Sequence, residues 1–138
     1  MKRSIVVGIV SLAAAVFSTA ADARLVSFRS PSGNIGCMGE TATSRNMVRC
    51  DVSRHSFRAP AKPASCDFDW GSSLSVGRTC RTRWNCISDS ALGSRNVLRY
   101  GTSRTIGAIT CRSSRLGMRC TNRVGHGFFV SRASAYRF

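Results

Sequence analysis

Short alternations of hydrophobic and polar positions, separated by turn residues, run along most of this chain. They predict short strands, at residues 25–28, 34–37, 47–52, 74–77, 82–87, 96–100, 104–109 and 127–130. Residues 59–63 carry two prolines and form an extended connector rather than a helix. Residues 131–136 suggest a short turn of helix, and no stretch after residue 23 has the apolar spacing of a longer one.

Glycine spacing completes the prediction of the fold class. The 12 glycines mark turns at intervals typical of β-sandwiches and small barrels. The sequence therefore predicts an all-β protein, a small disulfide-linked sandwich or barrel of short antiparallel strands and hairpins.

The first 23 residues have the pattern of a secretory signal peptide. Met1-Lys2-Arg3 is positively charged, residues 4–17 are apolar or small, and Ala21-Asp22-Ala23 has the A-x-A form of a cleavage site. The apolar run is shorter than the roughly 18–20 residues that span a membrane, and no later stretch is apolar enough to do so. We expect residues 1–23 to be removed and residues 24–138 to form one domain in the periplasm or outside the cell.

The 7 cysteines predict a disulfide framework in an exported chain. Cys37 and Cys50 lie in two β-prone runs on either side of the polar residues 39–46. Cys111 and Cys120 repeat this plan around residues 113–115. Facing strands bring opposed Cβ atoms within disulfide reach, so both pairs are predicted to be hairpin disulfides.

The remaining cysteines leave a choice. Pairing Cys66 with Cys86 joins residues 64–68 to the strand-like residues 82–87 and leaves Cys80 as a free thiol, and this is the pairing that we favour. A disulfide between Cys66 and Cys80 is the alternative. The chain has no C-x-x-C motif and only 2 histidines, so no metal site and no cofactor are predicted.

The two hairpins resemble each other beyond their cysteines. Glycines stand four residues before each first cysteine, isoleucines two before it, and an arginine directly precedes each second cysteine. A histidine and a phenylalanine then follow at similar distances in both segments. The matched residues are Gly33 and Gly107, Ile35 and Ile109, Arg49 and Arg119, His55 and His126, and Phe57 and Phe128. This pattern indicates either an internal duplication or two similar hairpins that arose separately.

Arginine excess is the strongest functional signal. The chain has 21 Lys+Arg against 6 Asp+Glu, and 18 of the 19 basic residues after residue 23 are arginine. Guanidinium groups bind phosphate and carboxylate through paired hydrogen bonds, which favours anionic partners such as lipopolysaccharide, phospholipid or acidic polysaccharide. The alternative is a merely solvated surface. Because the arginines are spread along the chain and do not interleave with aromatic residues, specific nucleic-acid binding is not expected.

Two weaker candidates for chemistry remain. His55 and His126 would suit the acid and base of a small ribonuclease-like hydrolase. Asp67 and Asp69 would share one face of a strand and suit a calcium ion or a pair of catalytic carboxylates. A turn cap or an ion pair with nearby arginines explains these aspartates equally well.

The ordered pattern of motifs resembles a family of small exported bacterial domains that carries only a domain-of-unknown-function label. The segments that carry this resemblance are SPSGNI-x-C, VRCDV, PASC-D-x-DWG, L-x-VG, YG, ITC, C-x-N and GHGFFVSR, in this order along the chain. Members resemble this chain in six of its cysteines, and Cys80 is the departure. The resemblance implies an exported β-rich module and brings no activity or catalytic residue.

The sequence as a whole favours a non-catalytic module of the cell envelope. Its arginine-rich surface would bind an anionic component of the envelope or an envelope protein. The hydrolase that uses His55 and His126 is the alternative.

Overall fold

The computed structural model describes residues 23–138 and contains ten strands in two five-stranded antiparallel sheets. The first sheet consists of β1 (Leu25–Arg29), β2 (Ile35–Glu40), β3 (Met47–Val52), β4 (Ser73–Gly77) and β5 (Arg83–Trp84). The second consists of β6 (Ser103–Ile106), β7 (Ile109–Ser114), β8 (Gly117–Asn122), β9 (Gly127–Val130) and β10 (Ala135–Arg137). Each sheet follows chain order, and the prediction of an all-β fold is confirmed. The predicted signal peptide lies outside the described residues except for Ala23.

One core lies between the two sheets. Strand alternation turns every second side chain inward, and the most deeply buried ones come from both sheets. Phe28, Val48 and Leu74 of the first sheet and Met118 and Phe128 of the second are each no more than 1% exposed. The sheets therefore pack face to face as a sandwich.

Two of the three disulfides cross paired strands at the centre of this core. Cys37 is the register partner of Cys50 in β2 and β3, and Cys111 is the partner of Cys120 in β7 and β8. The Sγ atoms of Cys50 and Cys120 lie 3.8 Å apart. Since neither sulfur carries a hydrogen, this is a packing contact between the two disulfides, and it joins the two sheets at their middle.

The third disulfide joins Cys66 to Cys86 across the irregular segments of the first half, and Cys80 is unpaired and exposed. All three bridges and the free thiol match the pairing favoured from the sequence. Three disulfides are typical of proteins outside the cytoplasm. Within residues 23–138, no helix is long and apolar enough to cross a membrane.

The outer face of the first sheet is covered by the chain itself. Asp51 is 2% exposed and accepts a hydrogen bond from the backbone N–H of Ala91 at 2.8 Å. Arg49 pairs with Asp51 at 2.7 Å and with Asp89 at 2.8 Å. A Cβ on Gly36, the register partner of Asp51, would lie 2.3 Å from the carbonyl oxygen of Ala91, so only glycine lets this loop lie flat on the sheet.

These ion pairs also shift the pKa values of Arg49 and Asp89. The hydrogen bond with Asp51 raises the pKa of Arg49 above its ordinary value, and that with Asp89 adds to it. The hydrogen bond from Arg49 lowers the pKa of the Asp89 carboxyl below its usual range. Both shifts favour the charged forms of Arg49 and Asp89.

Only some of the residues that match between the two hairpins in sequence occupy equivalent positions in the structure. Gly33 and Gly107 both adopt the left-handed region that favours glycine, with φ of 72° and 59°. The histidine and phenylalanine matches do not correspond. Phe128 lies opposite Cys120 in β9, where the first sheet has Leu74 opposite Cys50, and Phe57 lies in the long segment between β3 and β4.

Three predicted segments differ from the structure. Residues 96–100 form no strand and contribute only a bridge between Val97 and Arg29. The strand predicted at residues 104–109 is divided by a turn at Gly107, because the Asn46 side chain donates to the carbonyl of Ile106 and accepts from the N–H of Ala108. The helical turn predicted at residues 131–136 is wrong, since the open edge of β9 pairs with β10 instead.

Strand β5 is also shorter than its prediction. Only Arg83–Trp84 of residues 82–87 is a strand, paired with Leu74 and Ser75 of β4. The Asn85 side chain then donates to the Ser73 hydroxyl and accepts from the Ser75 hydroxyl. The backbone N–H of Asn85 also donates to the carbonyl of Ser73 at 3.0 Å, so these side-chain hydrogen bonds reinforce the end of the strand pair.

Candidate functional site

A cavity of about 630 Å³ opens at one end of the sandwich. Three turns and the segment that follows β3 meet there: the β1–β2 turn, the β7–β8 turn and the β9–β10 turn. Its polar lining consists mainly of three arginines and five serines: Arg54, Arg115, Arg132, Ser30, Ser32, Ser53, Ser114 and Ser131. None of the described residues that line it is acidic.

The β1–β2 turn forms a fixed wall of this cavity. The buried Ser30 hydroxyl accepts the N–H of Ile35 at 3.1 Å and lies 3.0 Å from the hydroxyl of Ser32. The carbonyl of Ser30 accepts the N–H of Gly33, whose positive φ only glycine adopts without strain. Serine and glycine at these positions therefore hold the turn in one shape.

Backbone contacts hold two of the arginines at the cavity edge. The Asn34 side chain accepts the N–H of Arg54 at 2.9 Å and donates to its carbonyl at 3.0 Å. The carbonyl of Arg132 accepts the N–H of Ser56 at 2.8 Å. These bonds join the segment after β3 to both the β1–β2 turn and the β9–β10 turn, so Arg54 and Arg132 stand on connected walls.

The third arginine is held by an aromatic ring. The Arg115 guanidinium lies 5.3 Å from the centre of the Tyr100 ring, within the range of a cation–π contact. Beside it, Leu116 lines the same cavity and is 80% exposed. The rim therefore places a positive charge next to an apolar side chain.

The electrostatics of the cavity are strongly positive. All three arginines are exposed, and both ion pairs that the described residues form belong to Arg49 on the first sheet. Guanidinium groups without a carboxylate partner bind phosphate or carboxylate through paired, charge-assisted hydrogen bonds. The chemistry of this lining is therefore suited to an anion, and the cavity volume is within the range of small-molecule pockets.

The structure does not bring the two candidate histidines together. His55 follows β3 near this cavity, where its ring stacks on Phe57 with centroids 3.9 Å apart. His126 lies in the turn between β8 and β9, and its N–H donates to the Asn122 side chain. The length of β8 separates the two ends by roughly 17 Å, so one phosphodiester does not reach both rings.

The other candidates take no part in the cavity. Asp67 and Asp69 are exposed, and Asp69 pairs its backbone with Ile87. Residues 23–138 contain no group of three or more His, Cys, Asp or Glu side chains that could hold a metal ion. Cys80 lies at the opposite end of the sandwich, where its carbonyl accepts from the Asn122 side chain.

Sequence reasoning missed this cavity because its parts are far apart along the chain. The SPSGN turn at residues 30–34, Tyr100 and the Ser131-Arg132 pair all belong to the ordered motifs of the sequence, yet their spacing gives no sign that they meet. The only available signal was that these motifs lie in turns and carry serine and arginine rather than core residues.

Comparison with known proteins gives one finding. The model of a family of unknown function, DUF6636, matches residues 7–138. No curated protein and no solved structure matches the chain.

Proposed function

We propose that this chain, which belongs to DUF6636, a family of unknown function, is an exported binding module. Its cavity would bind the anionic group of a component of the cell envelope. The observation that carries this proposal is the set of three exposed arginines around one cavity without an acidic lining residue. The signal-peptide pattern of residues 1–23 and the three disulfides support export.

The rim favours an amphipathic ligand. Leu116 is 80% exposed beside Arg115, so a ligand that carries a phosphate next to an apolar chain would contact both side chains. Lipopolysaccharide and anionic phospholipid have this chemistry, with the phosphate held by the arginines and the serine hydroxyls. A non-catalytic role agrees with the wide separation of His55 and His126.

Binding to vesicles tests the proposal. The purified, oxidised protein is mixed with lipopolysaccharide, with anionic phosphatidylglycerol vesicles and with zwitterionic phosphatidylcholine vesicles at about 0.15 M salt, where nonspecific surface attraction is largely screened. We expect binding to the two anionic surfaces, and a loss of about tenfold or more in affinity when Arg54, Arg115 and Arg132 are all changed to Gln.

A matched control separates the cavity from net charge. Changing Arg24, Arg95 and Arg123 to Gln removes the same charge from exposed positions outside the cavity. Equal losses in the two triple variants would show that the arginines act only as a diffuse charge. If the protein binds neither anionic surface, the cavity does not take an envelope lipid, and an envelope protein becomes the partner to seek.

A further inference from the structure

The outer face of the second sheet carries a row of arginine and aromatic side chains that the linear sequence does not show. Strand register places Arg112 beside Arg119, Arg119 beside Phe129, and Phe129 beside Tyr136. With strands about 4.8 Å apart, this row runs about 14 Å across β7, β8, β9 and β10. The neighbouring row carries hydroxyls, from Thr105, Thr110 and Thr121.

The aromatic end of this face is ordered by contacts between its members. The Phe129 and Tyr136 rings stack with centroids 5.2 Å apart. The Arg119 guanidinium lies 3.9 Å from the centre of the Phe138 ring, and a Cβ on Gly127 would come within 2.7 Å of that same ring. Phe138 is therefore packed against Arg119 and Gly127, whereas Tyr136 is 49% exposed, so its ring is accessible to a ligand.

The charge on this half of the molecule is uncompensated. Residues 90–138 contain nine arginines and no aspartate or glutamate. Arg112 and Arg119 are exposed, and the ion pairs of the described residues all lie on the first sheet. A partner that supplies carboxylate or phosphate would therefore meet no repulsion from an acidic side chain of this sheet.

We infer that this face binds an acidic polysaccharide chain laid across β7–β10. The arginine forks would bind the carboxylates, the threonine hydroxyls would bond the sugar hydroxyls, and the Tyr136 ring would pack against one sugar face. A single-stranded nucleic acid fits less well, because such platforms stack successive bases on several open rings, and here only Tyr136 is so open. The inference is independent of the cavity, since the two sites share no residue.

Isothermal titration of the full, oxidised protein with oligogalacturonate at about 0.15 M salt tests this inference. We expect binding that weakens by about tenfold or more when Arg112 and Arg119 are both changed to Gln. Changing Tyr136 to Ala should also weaken it, while Tyr136→Phe, which keeps the ring, should not. A matched variant that leaves both the face and the cavity intact, Arg95→Gln with Arg123→Gln, should bind normally.

Each other outcome overturns the inference. Absence of oligogalacturonate binding removes it, and so does an equal loss in the Arg95 and Arg123 control, which would indicate diffuse charge alone. Tighter binding of a single-stranded DNA of equal charge through the same face would assign a nucleic acid instead. Circular dichroism and thiol titration establish that each variant is folded with its disulfides intact, and loss of lipid binding alone would affect only the cavity proposal.

Discussion

Each sheet contains a hairpin whose two strands are joined by a disulfide between register partners, but the residues on the outer faces of the two hairpins differ. Counted from the paired cysteines, Arg49 and Arg119 hold the same position, and so do Gly36 and Thr110. In the first sheet, Gly36 leaves room for a loop on the outer face, and Arg49 forms ion pairs with two aspartates. In the second, Thr110 stands at the position that corresponds to Gly36, and Arg119 is exposed over the Phe138 ring.

The distribution of acidic residues follows this division. Residues 24–89 contain ten basic and five acidic side chains, whereas residues 90–138 contain nine basic and none acidic. Removing an arginine that pairs with a buried carboxylate leaves that charge unpaired and destabilises the fold, whereas an arginine without such a partner is available to an external anion. Arg49 and Arg119, at matching positions, therefore have different roles: Arg49 is paired within the fold, whereas Arg119 has no carboxylate partner among the described residues.

Removing a hairpin disulfide gives the largest expected effect and tests whether the two disulfides contribute equally to stability. Changing Cys37 and Cys50 to Ala, or Cys111 and Cys120 to Ala, should each lower the free energy of unfolding by about 3 kcal/mol. The two losses should agree closely, because loops of 13 and 9 residues differ little in closure entropy. Urea denaturation measures both losses. Clearly unequal losses would show that the stability of the sandwich depends mainly on one of the two hairpin disulfides.

The paired arginines should differ sharply in their effect on stability. Arg49→Gln leaves the carboxylate of Asp51, whose side chain is 3% exposed, without its ion-pair partner and should cost about 3 kcal/mol. Arg119→Gln removes an exposed side chain and should cost no more than about 1 kcal/mol. Both values come from chemical denaturation, and similar losses for the two variants would remove the distinction between the sheets.

Covering of the first sheet is tested at Gly36. Gly36→Ala places a Cβ against the backbone of Ala91 and should cost about 2 kcal/mol, because the loop has to shift. Gly93→Ala in the same loop meets nothing within 4 Å and should be close to neutral. Thr110→Ala, at the matching position of the second sheet, should change stability by less than about 0.5 kcal/mol. A neutral Gly36→Ala would mean that the loop does not lie on the sheet.

The smallest effect concerns pH. Because Arg49 lowers the pKa of Asp89, the stability that this carboxylate contributes is present above the ordinary range of an aspartate and is lost as the pH falls through its folded value. Urea midpoints measured between about pH 3 and pH 7 should therefore fall slightly less for Asp89→Asn than for the unaltered protein. An identical pH dependence in both proteins would show that the contact between Arg49 and Asp89 does not persist in solution.

Local patterns in the sequence predicted much of the fold. Short β-prone runs located β1, β3, β4 and β9. Cysteine spacing within such runs predicted the two hairpin disulfides and favoured Cys66–Cys86 over Cys66–Cys80. Errors arose where tertiary contacts decide the conformation, as at Gly107, where the Asn46 side chain fixes a turn. The cavity and the arginine–aromatic row were not predictable in this way, because strand register and turn packing bring together residues that are distant in sequence.

One measurement tests the central comparison most directly. Arginine Nε–Hε resonances, assigned by single Arg→Gln variants, are followed by NMR while oligogalacturonate is added. We predict that the resonances of Arg112 and Arg119 move with a common affinity and that of Arg49, held by two aspartates, stays in place. Movement of Arg49 as large as that of Arg119, or no movement of Arg119, would contradict the division of roles between the two sheets.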